Sequence, residues 1–438
     1  MIKVAKFGGS SVASAKQFSK VKKIVLSDPS RRIVVISAAG KRNPDDHKLT
    51  DLLYLCHAHL TYGVSCDDIF DKICERFIEI RDELSLTYKI EDDLTALKAR
   101  LNKDMSVDEL VSRGEYLTSR LMAEYLGYTF LDAADCIFME YDGSFIASKI
   151  ASAVKSALEY SKGLVIPGFY GALPSGKIRI MSRGGSDITG ALVAAGCNAD
   201  LYENWTDVSG ILMADPRIVS NPSPISQITY AELRELAYMG ASVLHEDSIA
   251  PVKDLGIALN IRNTNDPEHP GTMIVDKVDE NNLEHDRFIT GIAGKKNFII
   301  LTVTKRMHGT NETLRKVLEI LDHYKVHAEH ISMGIDQFAL VLQQSSLADR
   351  IYDIVSEIKN QCNPENVEVQ DNIALVAAVG RKMIFRPGIS GKLFNALGKE
   401  GINIRTIAQG SDELAIIVGV DNSQFENTIR VLYQGFAG

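Results

Sequence analysis

The sequence predicts an α/β protein with a mostly parallel sheet, followed by two copies of a smaller α+β module. Short apolar strands alternate with amphipathic helices through the first half of the chain. One apolar pattern occurs twice in the last third at a constant spacing. The length of 438 residues exceeds what one hydrophobic core supports, so we expect two or three domains.

A strand–helix–strand unit opens the chain. Ile2–Phe7 is typical of a strand, and Arg32–Gly40 is nearly continuous in valine and isoleucine, as a buried parallel strand is. Between them, Ala15–Leu26 has apolar residues at the spacing of an amphipathic helix. This unit predicts a mostly parallel sheet with helices on both faces.

The alternation continues through the first domain. Residues 66–127 are mainly helical and charged in character, and strand patterns return later, at Gly163–Phe169, Lys177–Ser182 and Asp200–Val208. The proline-rich loop Asn265–Thr272 and the charged connector Lys277–Arg287 then mark a boundary. We therefore expect a first domain at 1–285 and a second at 286–438.

An internal repeat organises the second domain. Residues 299–342 match the apolar pattern of residues 375–418 at a constant offset of 76 without gaps. Each copy has the pattern strand, turn, helix, strand, strand, and a second helix follows each copy, at Leu347–Lys359 and Gln424–Tyr433. Two βαββα modules are expected, at about 297–362 and 373–438, with interleaving of their strands left open.

Composition excludes several classes of protein. A net charge of −9 and a pI of about 5.7 argue against nucleic acid as a partner, while leaving room for a small anionic substrate. The six cysteines are scattered without a CxxC pair, which is typical of a reducing cytosol. No apolar run approaches the roughly 20 residues of a membrane span. We expect a soluble cytoplasmic protein without a membrane partner.

Two glycine-rich strand-to-helix turns are candidate anion sites. Lys6–Val12 reads KFGGSSV, and Ser182–Thr189 reads SRGGSDIT. Backbone N–H groups in such turns, together with a helix dipole, favour a phosphate or carboxylate. From these residues alone, the first stretch could equally be a plain turn beside a surface lysine. In the second, Ser186 or Asp187 is expected to cap a helix. Capping does not explain Arg183, whose planar guanidinium group suits a carboxylate or phosphate.

Two further stretches carry polar candidates. In Ser112–Ser119, Ser112 and Glu115 have the spacing of a capping box, although a glutamate in a first helical turn could instead hold a substrate ammonium group. Asn204–Arg217 contains Trp205, which we expect in the core. The polar groups there that a nucleotide could use are Thr206, Asp207 and Arg217.

Two other patterns favour structural explanations. Gly171–Lys177 reads GALPSGK and fits the P-loop consensus, but isoleucine follows the lysine and the next residues alternate like a strand, so a hairpin turn is favoured. The histidines His323, His327 and His330 invite a zinc site. Because the pattern changes from helix to strand near Lys325, they should not share one face, and no metal ligands are predicted.

Taken together, these motifs resemble the aspartate kinases of the amino acid kinase superfamily. The matching stretches, in the family's order and across the whole chain, are Lys6–Val12, Ser37–Gly40, Ser112–Glu115, Ser182–Asp187 and Trp205–Val208 with Asp215–Arg217. The doubled C-terminal module resembles the family's pair of regulatory ACT domains. The resemblance implies a three-layer αβα kinase domain with a mostly parallel central sheet plus two ferredoxin-like ACT modules. The length matches the monofunctional form.

The resemblance also implies an activity. It is the transfer of the γ-phosphate of ATP, with Mg²⁺, to the side-chain carboxylate of L-aspartate, giving 4-phospho-L-aspartate, the first step toward lysine, threonine and methionine. A carboxylate with a pKa near 3.9 is already ionised at pH 7 and needs no general base. The sequence accordingly offers no convincing Ser/His/Asp arrangement.

Residue roles follow from the resemblance. Catalysis is expected of Lys6 and Asp187. Aspartate contacts are expected of Thr50, Glu115, Arg183, Gly184, Gly185 and Ser186. ATP contacts are expected of Lys6, Phe7, Gly8, Gly9, Ser10, Thr206, Asp207, Leu212, Arg217 and Ser242.

Three of these positions depart from the family pattern. The match at Thr50 assumes a loop insertion at Lys41–Leu49. Leu212 stands where some members have tyrosine, and Ser242 where some have lysine.

Regulation is the last implication. The resemblance implies feedback by an end-product amino acid, lysine favoured over threonine, and a homodimer formed through the ACT modules. The candidate effector contacts are Met307, Gly309, Glu329 and Ser332. A carboxylate at Glu329 would suit the ammonium group of lysine.

Two alternatives stay open. Another kinase of the superfamily, acting on glutamate, carbamate or a nucleoside monophosphate, would share the two glycine turns, but not Ser112–Glu115 together with doubled ACT modules. A catalytically dead amino-acid sensor would be expected to lack Lys6, Arg183 or Asp187, and the chain retains all three.

Overall fold

A computed structural model describes residues 1–182, 184–241, 244, 248–278, 288–305, 310–347, 350–381, 383 and 387–437. The chain forms two compact units. The first comprises Met1–Ile211, Pro224–Tyr230 and Val243–Asp279, and the second comprises Leu212–Ser223, Ala231–Ser242 and Glu280–Gly438. Two short segments from the first 285 residues therefore belong to the second unit.

The helices and strands follow one another along the chain. Up to residue 275 they are β1 (Lys3–Phe7), α1 (Ala15–Leu26), β2 (Arg31–Ile36), α2 (Leu49–Thr61), α3 (Asp67–Glu83), α4 (Ile90–Arg100), α5 (Val107–Leu126), β3 (Thr129–Phe130), α6 (Ala133–Cys136), α7 (Ala147–Glu159), β4 (Leu164–Pro167), β5 (Tyr170–Ala172), β6 (Ile178–Ile180), α8 (Gly185–Gly196), β7 (Leu201–Thr206), β8 (Ile211–Leu212), β9 (Pro224–Ile225), β10 (Gln227–Thr229), α9 (Tyr230–Tyr238), α10 (Ala250–Lys253), β11 (Leu259–Asn263) and β12 (Thr272–Val275). Those that follow are β13 (Gly291–Thr304), α11 (Thr310–His323), β14 (Ala328–Met333), β15 (Gln337–Gln343), α12 (Gln344–Leu347), α13 (Ile351–Cys362), β16 (Asn366–Val379), α14 (Ile389–Lys399), β17 (Thr406–Gln409), β18 (Ala415–Asp421) and α15 (Phe425–Ala437).

The first unit is built on an eight-stranded sheet in the order β10-β12-β11-β7-β1-β2-β4-β3. Neighbouring strands are parallel except β11 and β12, which are antiparallel. Strand β1 lies inside the sheet, between β2 and β7. The predicted mostly parallel sheet is confirmed.

Side chains of β1 alternate between the two faces of this sheet. Ala5 and Phe7 join the buried apolar cluster that also contains residues of α1 to α5. Since successive side chains of a strand point to opposite faces, Lys6 points to the other face, where it meets Asp187 of α8. Helices therefore cover both faces, which is the predicted three-layer αβα arrangement.

Local patterns predicted several elements correctly. Helix α1 has the predicted first and last residues, and its apolar positions, such as Phe18 and Val21, are fully buried. Strands β5 and β6 form an antiparallel pair, with Leu173 N donating to Lys177 O across the turn. The GALPSGK stretch is thus a hairpin turn, as predicted, and not a P-loop.

The second unit contains a six-stranded antiparallel sheet in the order β14-β15-β13-β16-β18-β17. Its two long central strands are each divided between two modules. In β13, Gly291–Lys295 pairs with Leu375–Val379 of β16, while Phe298–Thr304 lies between β15 and the first half of β16, residues 366–373. Each module therefore borrows half a strand from the other, and two ferredoxin-like modules share one continuous sheet.

Each module has its own apolar core. One buried cluster joins β13 and β15 to α11 and α13, and another joins β16 and β18 to α14 and α15. In the part of the chain that the structure describes, which includes His323, His327 and His330, no group of three or more His, Cys, Asp or Glu residues could hold a metal ion. No helix there is both long enough and apolar enough to cross a membrane.

Candidate active site

Lys6 forms a buried ion pair at the carboxyl end of β1. Its Nζ lies 2.6 Å from Oδ1 of Asp187, and the two side chains are 9% and 19% exposed. Asp187 sits in the first turn of α8, where a carboxylate is favoured by the helix dipole. One lysine amine and one carboxylate thus meet where the central strand ends.

Asn204 of β7 completes this cluster, although it is not among the predicted site residues. It lies beside Lys6 in the β1–β7 ladder. Its Nδ2 donates to Asp187 Oδ1 at 2.9 Å, and its Oδ1 accepts from Lys6 Nζ at 3.5 Å. Asn204 therefore fixes the carboxylate and the amine relative to each other.

The residue after Asn204 faces the opposite side of the sheet. Trp205 is 1% exposed and stacks on Phe7, with ring centroids 5.9 Å apart and an interplanar angle of 16°. Its predicted place in the core is confirmed. The Phe7 side chain is fully buried.

Backbone groups of the first glycine turn pack against the end of β2. Gly8 N donates to Trp205 O at 3.0 Å, and Gly40 N donates to Gly9 O at 2.9 Å. A Cβ on Gly40 would lie 2.7 Å from the carbonyl carbon of Gly9, so only glycine permits this approach. A short 3-10 helix, Gly9–Val12, follows this turn and leads into α1.

The second glycine turn starts α8 differently from the prediction. The N-cap is Gly184, with a left-handed φ of 81°, and no side chain caps the helix. The expected cap by Ser186 or Asp187 is wrong, because both residues lie inside the first turn. Their side chains are consequently available to the cavity that this turn faces.

Glu115 is a buried carboxylate in the middle of α5. It is 4% exposed, and burial raises its pKa to about 8, although the Ala38 N–H donates to it. Its Oε2 has no hydrogen-bond partner among the residues that the structure describes. A buried oxygen without a partner is costly in a folded protein, which indicates a site for a cationic or hydrogen-donating ligand.

The predicted capping box at Ser112 and Glu115 is wrong. Helix α5 begins earlier in the chain, where the Ser106 side chain accepts from Glu109 N at 3.2 Å. Ser112 instead donates to Glu109 O at 2.8 Å within the helix. The same Ser-x-x-Glu spacing occurs at both places, and packing of the full helix selects the earlier one.

A cavity of about 710 Å³ joins these groups within the first unit. The predicted residues that line it are Lys6, Gly8, Gly9, Ser10, Thr50, Glu115, Gly184, Gly185, Ser186, Asp187 and Asp207. This size suits a ligand as large as a nucleotide with a small partner. The cavity is lined by lysine side chains, carboxylates and glycine backbone. Such a lining is typical of a site that binds anions and a cation next to each other.

The remaining predicted residues lie elsewhere. Phe7 and Thr206 are not among the lining residues, and Thr206 Oγ1 donates to Asp207 Oδ1 at 3.2 Å. Leu212 and Arg217 belong to the second unit, where Arg217 pairs with Asp215 at 2.6 Å. Arg183, Ser242, Met307 and Gly309 lie outside the described residues.

Several lining residues were not predicted as site residues. They are Ser37, Ala38, Ala39, Gly40, Lys41, Lys48, Asp51 and Phe169. The first four are the strand end that the family resemblance already included. Phe169 has a left-handed φ of 77°, unusual for a bulky residue, and such strain is concentrated at functional sites.

Two predicted effector contacts, Glu329 and Ser332, lie on β14 in the second unit. The Tyr238 hydroxyl of α9 donates to Glu329 Oε2. Burial, together with this hydrogen bond, raises the pKa of Tyr238 well above its ordinary value. Glu329 thus already has a hydroxyl partner from one of the two short segments that the second unit takes from the earlier part of the chain.

Comparison with known proteins agrees with this geometry. The sequence profile of the amino acid kinase family matches residues 1–263, and an ACT domain profile matches residues 376–436. Aspartokinase 3 of Bacillus subtilis is 35% identical over 452 residues, covering 99% of this chain and 98% of that protein.

The chain belongs to the aspartokinases of the amino acid kinase family. It is an ATP-dependent kinase, and the predicted family, fold class and enzyme class are confirmed. The crystal structure of the Clostridium acetobutylicum aspartate kinase matches with a TM-score of 0.91 and 48% identity, over 99% of both chains. Escherichia coli aspartokinase III, solved with aspartate and ADP, matches with a TM-score of 0.77 and 27% identity over 100% of both chains.

Proposed function

We propose that this aspartokinase transfers the γ-phosphate of ATP to the side-chain carboxylate of L-aspartate, giving 4-phospho-L-aspartate. The observation that carries the proposal is the content of one cavity. It is lined by Lys6 and a glycine turn, both suited to phosphates, and by the buried carboxylate of Glu115, one oxygen of which has no hydrogen-bond partner among the described residues. An amino acid acceptor has one ammonium group to offer that carboxylate. The E. coli relative solved with aspartate and ADP supports this choice.

The reaction needs alignment of two anions more than proton transfer. The acceptor carboxylate is ionised at neutral pH, so no general base has to be supplied. Catalysis then consists of holding the carboxylate oxygen in line with the γ-phosphorus and stabilising the charge that develops. Lys6, held by Asp187 and Asn204, is the cation proposed for that charge.

Each end of the acceptor has proposed partners. Glu115 Oε2 would receive its ammonium group, which also stabilises the ionised form of this glutamate. Ser186 and Thr50, both on the cavity wall, would contact its carboxylates together with Arg183. The glycine amides after β1 would hold the phosphates of ATP.

Magnesium is compatible with this cavity. Carboxylate oxygens of Asp187 and Asp207 line it, and such oxygens, with the phosphates of ATP, are the ligands that Mg²⁺ prefers. When bound, the ion would neutralise phosphate charge. Within the first unit, the adenine side is proposed to involve Thr206.

We also propose feedback inhibition by lysine and a homodimer formed through the ACT modules. Edge strands β14 and β17 expose Ile331, Met333 and Ile407, at 44%, 48% and 52%, which favours pairing with a second copy. The E. coli relative has also been solved with lysine and aspartate. A place at the start of lysine, threonine and methionine synthesis is part of the same proposal.

The acceptor is tested by trapping the acyl phosphate with hydroxylamine. The full chain, MgATP and one candidate acceptor are incubated together, and the hydroxamate is measured. We expect a hydroxamate from L-aspartate and none from glutamate or carbamate, and no phosphorylation of nucleoside monophosphates. A product from another acceptor and none from aspartate would replace the proposal with a different kinase of the same family.

A further inference from the structure

Arg76 is a buried arginine that the proposed reaction does not use. It lies on α3 with 4% of its side chain exposed. Its Nη1 donates to His47 O at 2.7 Å, and its Nη2 donates to Gly40 O at 2.6 Å and to Ala13 O at 3.4 Å. A guanidinium is expensive to bury unless hydrogen bonds compensate, and here backbone carbonyls bond to both terminal nitrogens, while Nε has no partner among the described residues.

The two shorter hydrogen bonds of Arg76, to Gly40 O and to His47 O, are made at the two ends of one loop, residues 41–48. Gly40 ends the segment before the loop and lines the cavity, and His47 precedes Lys48, which lines it too. Between these ends the loop has neither helix nor strand. The planar fork of an arginine can hold two carbonyls at a fixed separation, as a lysine cannot.

The rest of the loop is tied through Asp46, whose side chain is 11% exposed. Asp46 accepts from Arg42 Nε at 2.9 Å and lies 3.7 Å from Arg76 Nη2. Arg42 also pairs with Glu79 of α3 at 2.6 Å, where both side chains are substantially exposed. The exposed Arg42–Glu79 pair contributes little. Leu49 N donates to Ala39 O at 3.2 Å across the loop base, and Arg76 is the buried side chain that bonds to both loop ends.

The loop carries the acceptor side of the cavity. Thr50 lies two residues after the loop, in the first turn of α2, and the N–H of Ala38, two residues before Gly40, donates to Glu115. The bond to Ala13, beyond the phosphate turn, is the longest of the three. Loosening Arg76 should therefore disturb the acceptor contacts more than the ATP phosphate contacts.

We propose that Arg76 is a positioning residue that sets the aspartate-binding wall by holding both ends of the 41–48 loop. The inference rests on the proposed function for the identity of the acceptor. In this proposal Arg76 contacts neither substrate, and its substitution affects the binding of aspartate and not that of ATP. The geometry of the loop itself does not depend on which acceptor binds.

Steady-state kinetics of Arg76→Lys in the full chain test the substrate effect. We expect KM for aspartate to rise about tenfold or more, with KM for ATP changed by less than about twofold. Arg81→Lys is the matched control, because Arg81 lies on the same helix and pairs with Asp82 and Glu91 rather than with the loop. A folded Arg76→Lys with an unchanged KM for aspartate, or with equal rises in both KM values, overturns the inference.

Limited trypsin digestion tests the anchor without using activity. Cleavage after Lys41, Arg42 and Lys48, followed by mass spectrometry, should be at least about fivefold faster in Arg76→Lys than in wild type or Arg81→Lys. Loop cleavage at the wild-type rate contradicts the inference. Failure of the proposed function would appear separately, as wild-type protein that gives no hydroxamate from aspartate.

If Arg76→Lys does not fold, as loss of near-ultraviolet circular dichroism would reveal, Asp46→Asn takes its place. Asp46 lies at the outer side of the anchor, with 11% of its side chain exposed. We expect the same pattern in weaker form, about a threefold rise in KM for aspartate and faster loop cleavage. Wild-type values for both measurements overturn the inference.

Discussion

Lys6 Nζ lies 2.6 Å from Asp187 Oδ1, which joins the end of the central strand to the first turn of α8 in one buried ion pair. The pair opens into the cavity that also contains Glu115. Because a buried pair loses most when one partner is removed, each member should be sensitive to substitution. The proposed reaction uses this pair at the phosphate that moves.

Lys6→Ala should nearly abolish turnover while the fold persists. Loss of a cation aimed at developing phosphate charge should lower kcat on the order of a thousandfold. Lys3→Ala is the matched control, since Lys3 lies on the same strand and pairs with Asp28 at 2.7 Å, away from the cavity. ADP release measures turnover and circular dichroism measures folding. Near-normal turnover in Lys6→Ala would mean that Lys6 and the glycine turn have a structural role and no catalytic one.

Asn204→Ala should lower kcat with little change in either KM. Hydrogen bonds to charged groups contribute about 1.5–3 kcal/mol, which corresponds to roughly ten- to hundredfold in rate if the geometry of Lys6 and Asp187 is lost. Asn265→Ala on an exposed loop serves as the control. An unchanged kcat would mean that the ion pair keeps its geometry without the amide.

Aspartate use should depend on pH through Glu115. Burial raises the pKa of this carboxyl to about 8, so the free protein is mostly protonated there at pH 7. An ammonium group requires the ionised form, and kcat/KM for aspartate should therefore rise about tenfold per pH unit from pH 6 and level off near pH 8. In Glu115→Gln the rise should vanish, with kcat/KM low throughout.

The control for that profile lies on the same helix. Glu124→Gln changes a carboxylate that accepts from Thr87, outside the cavity lining, and should keep the wild-type slope. A flat wild-type profile, or a slope that survives in Glu115→Gln, would assign the ammonium group to a different residue.

Lysine inhibition should respond in opposite directions at Glu329 and Tyr238. If Glu329 receives the ammonium group of lysine, Glu329→Ala should raise the inhibitory lysine concentration about tenfold. Tyr238→Phe removes the hydroxyl that occupies this carboxylate and should lower that concentration a few-fold. Inhibition curves give both values, and Tyr352→Phe on an exposed side chain is the control. Identical curves for all the variants would exclude Glu329 from the effector site.

Local pattern was enough to predict elements whose signals are contained in a few residues. Helix α1 was predicted with the right ends because its apolar spacing and its flanking turns are all local. The GALPSGK hairpin was predicted because a strand pattern follows its glycine directly. These elements required no knowledge of what they pack against.

Tertiary context decided the elements that the pattern left ambiguous or missed. Ser106–Glu109 and Ser112–Glu115 have the same spacing, and only the packing of the whole α5 helix shows which one caps it. Asn204 was missed because its role depends on the alignment of β7 with β1, which no local pattern encodes. Arg76 reaches the loop from another helix, and its partners are carbonyls, which have no sequence signature.

The central claim is that the side-chain carboxylate of aspartate attacks the γ-phosphate. The most direct measurement uses L-aspartate labelled with ¹⁸O in that carboxylate, with MgATP and hydroxylamine. Hydroxylamine attacks the carbonyl carbon of the acyl phosphate, so the released phosphate should retain one ¹⁸O from aspartate. Aspartate that carries ¹⁸O in its α-carboxylate instead should give unlabelled phosphate. Phosphate without ¹⁸O from the side-chain label would contradict the account.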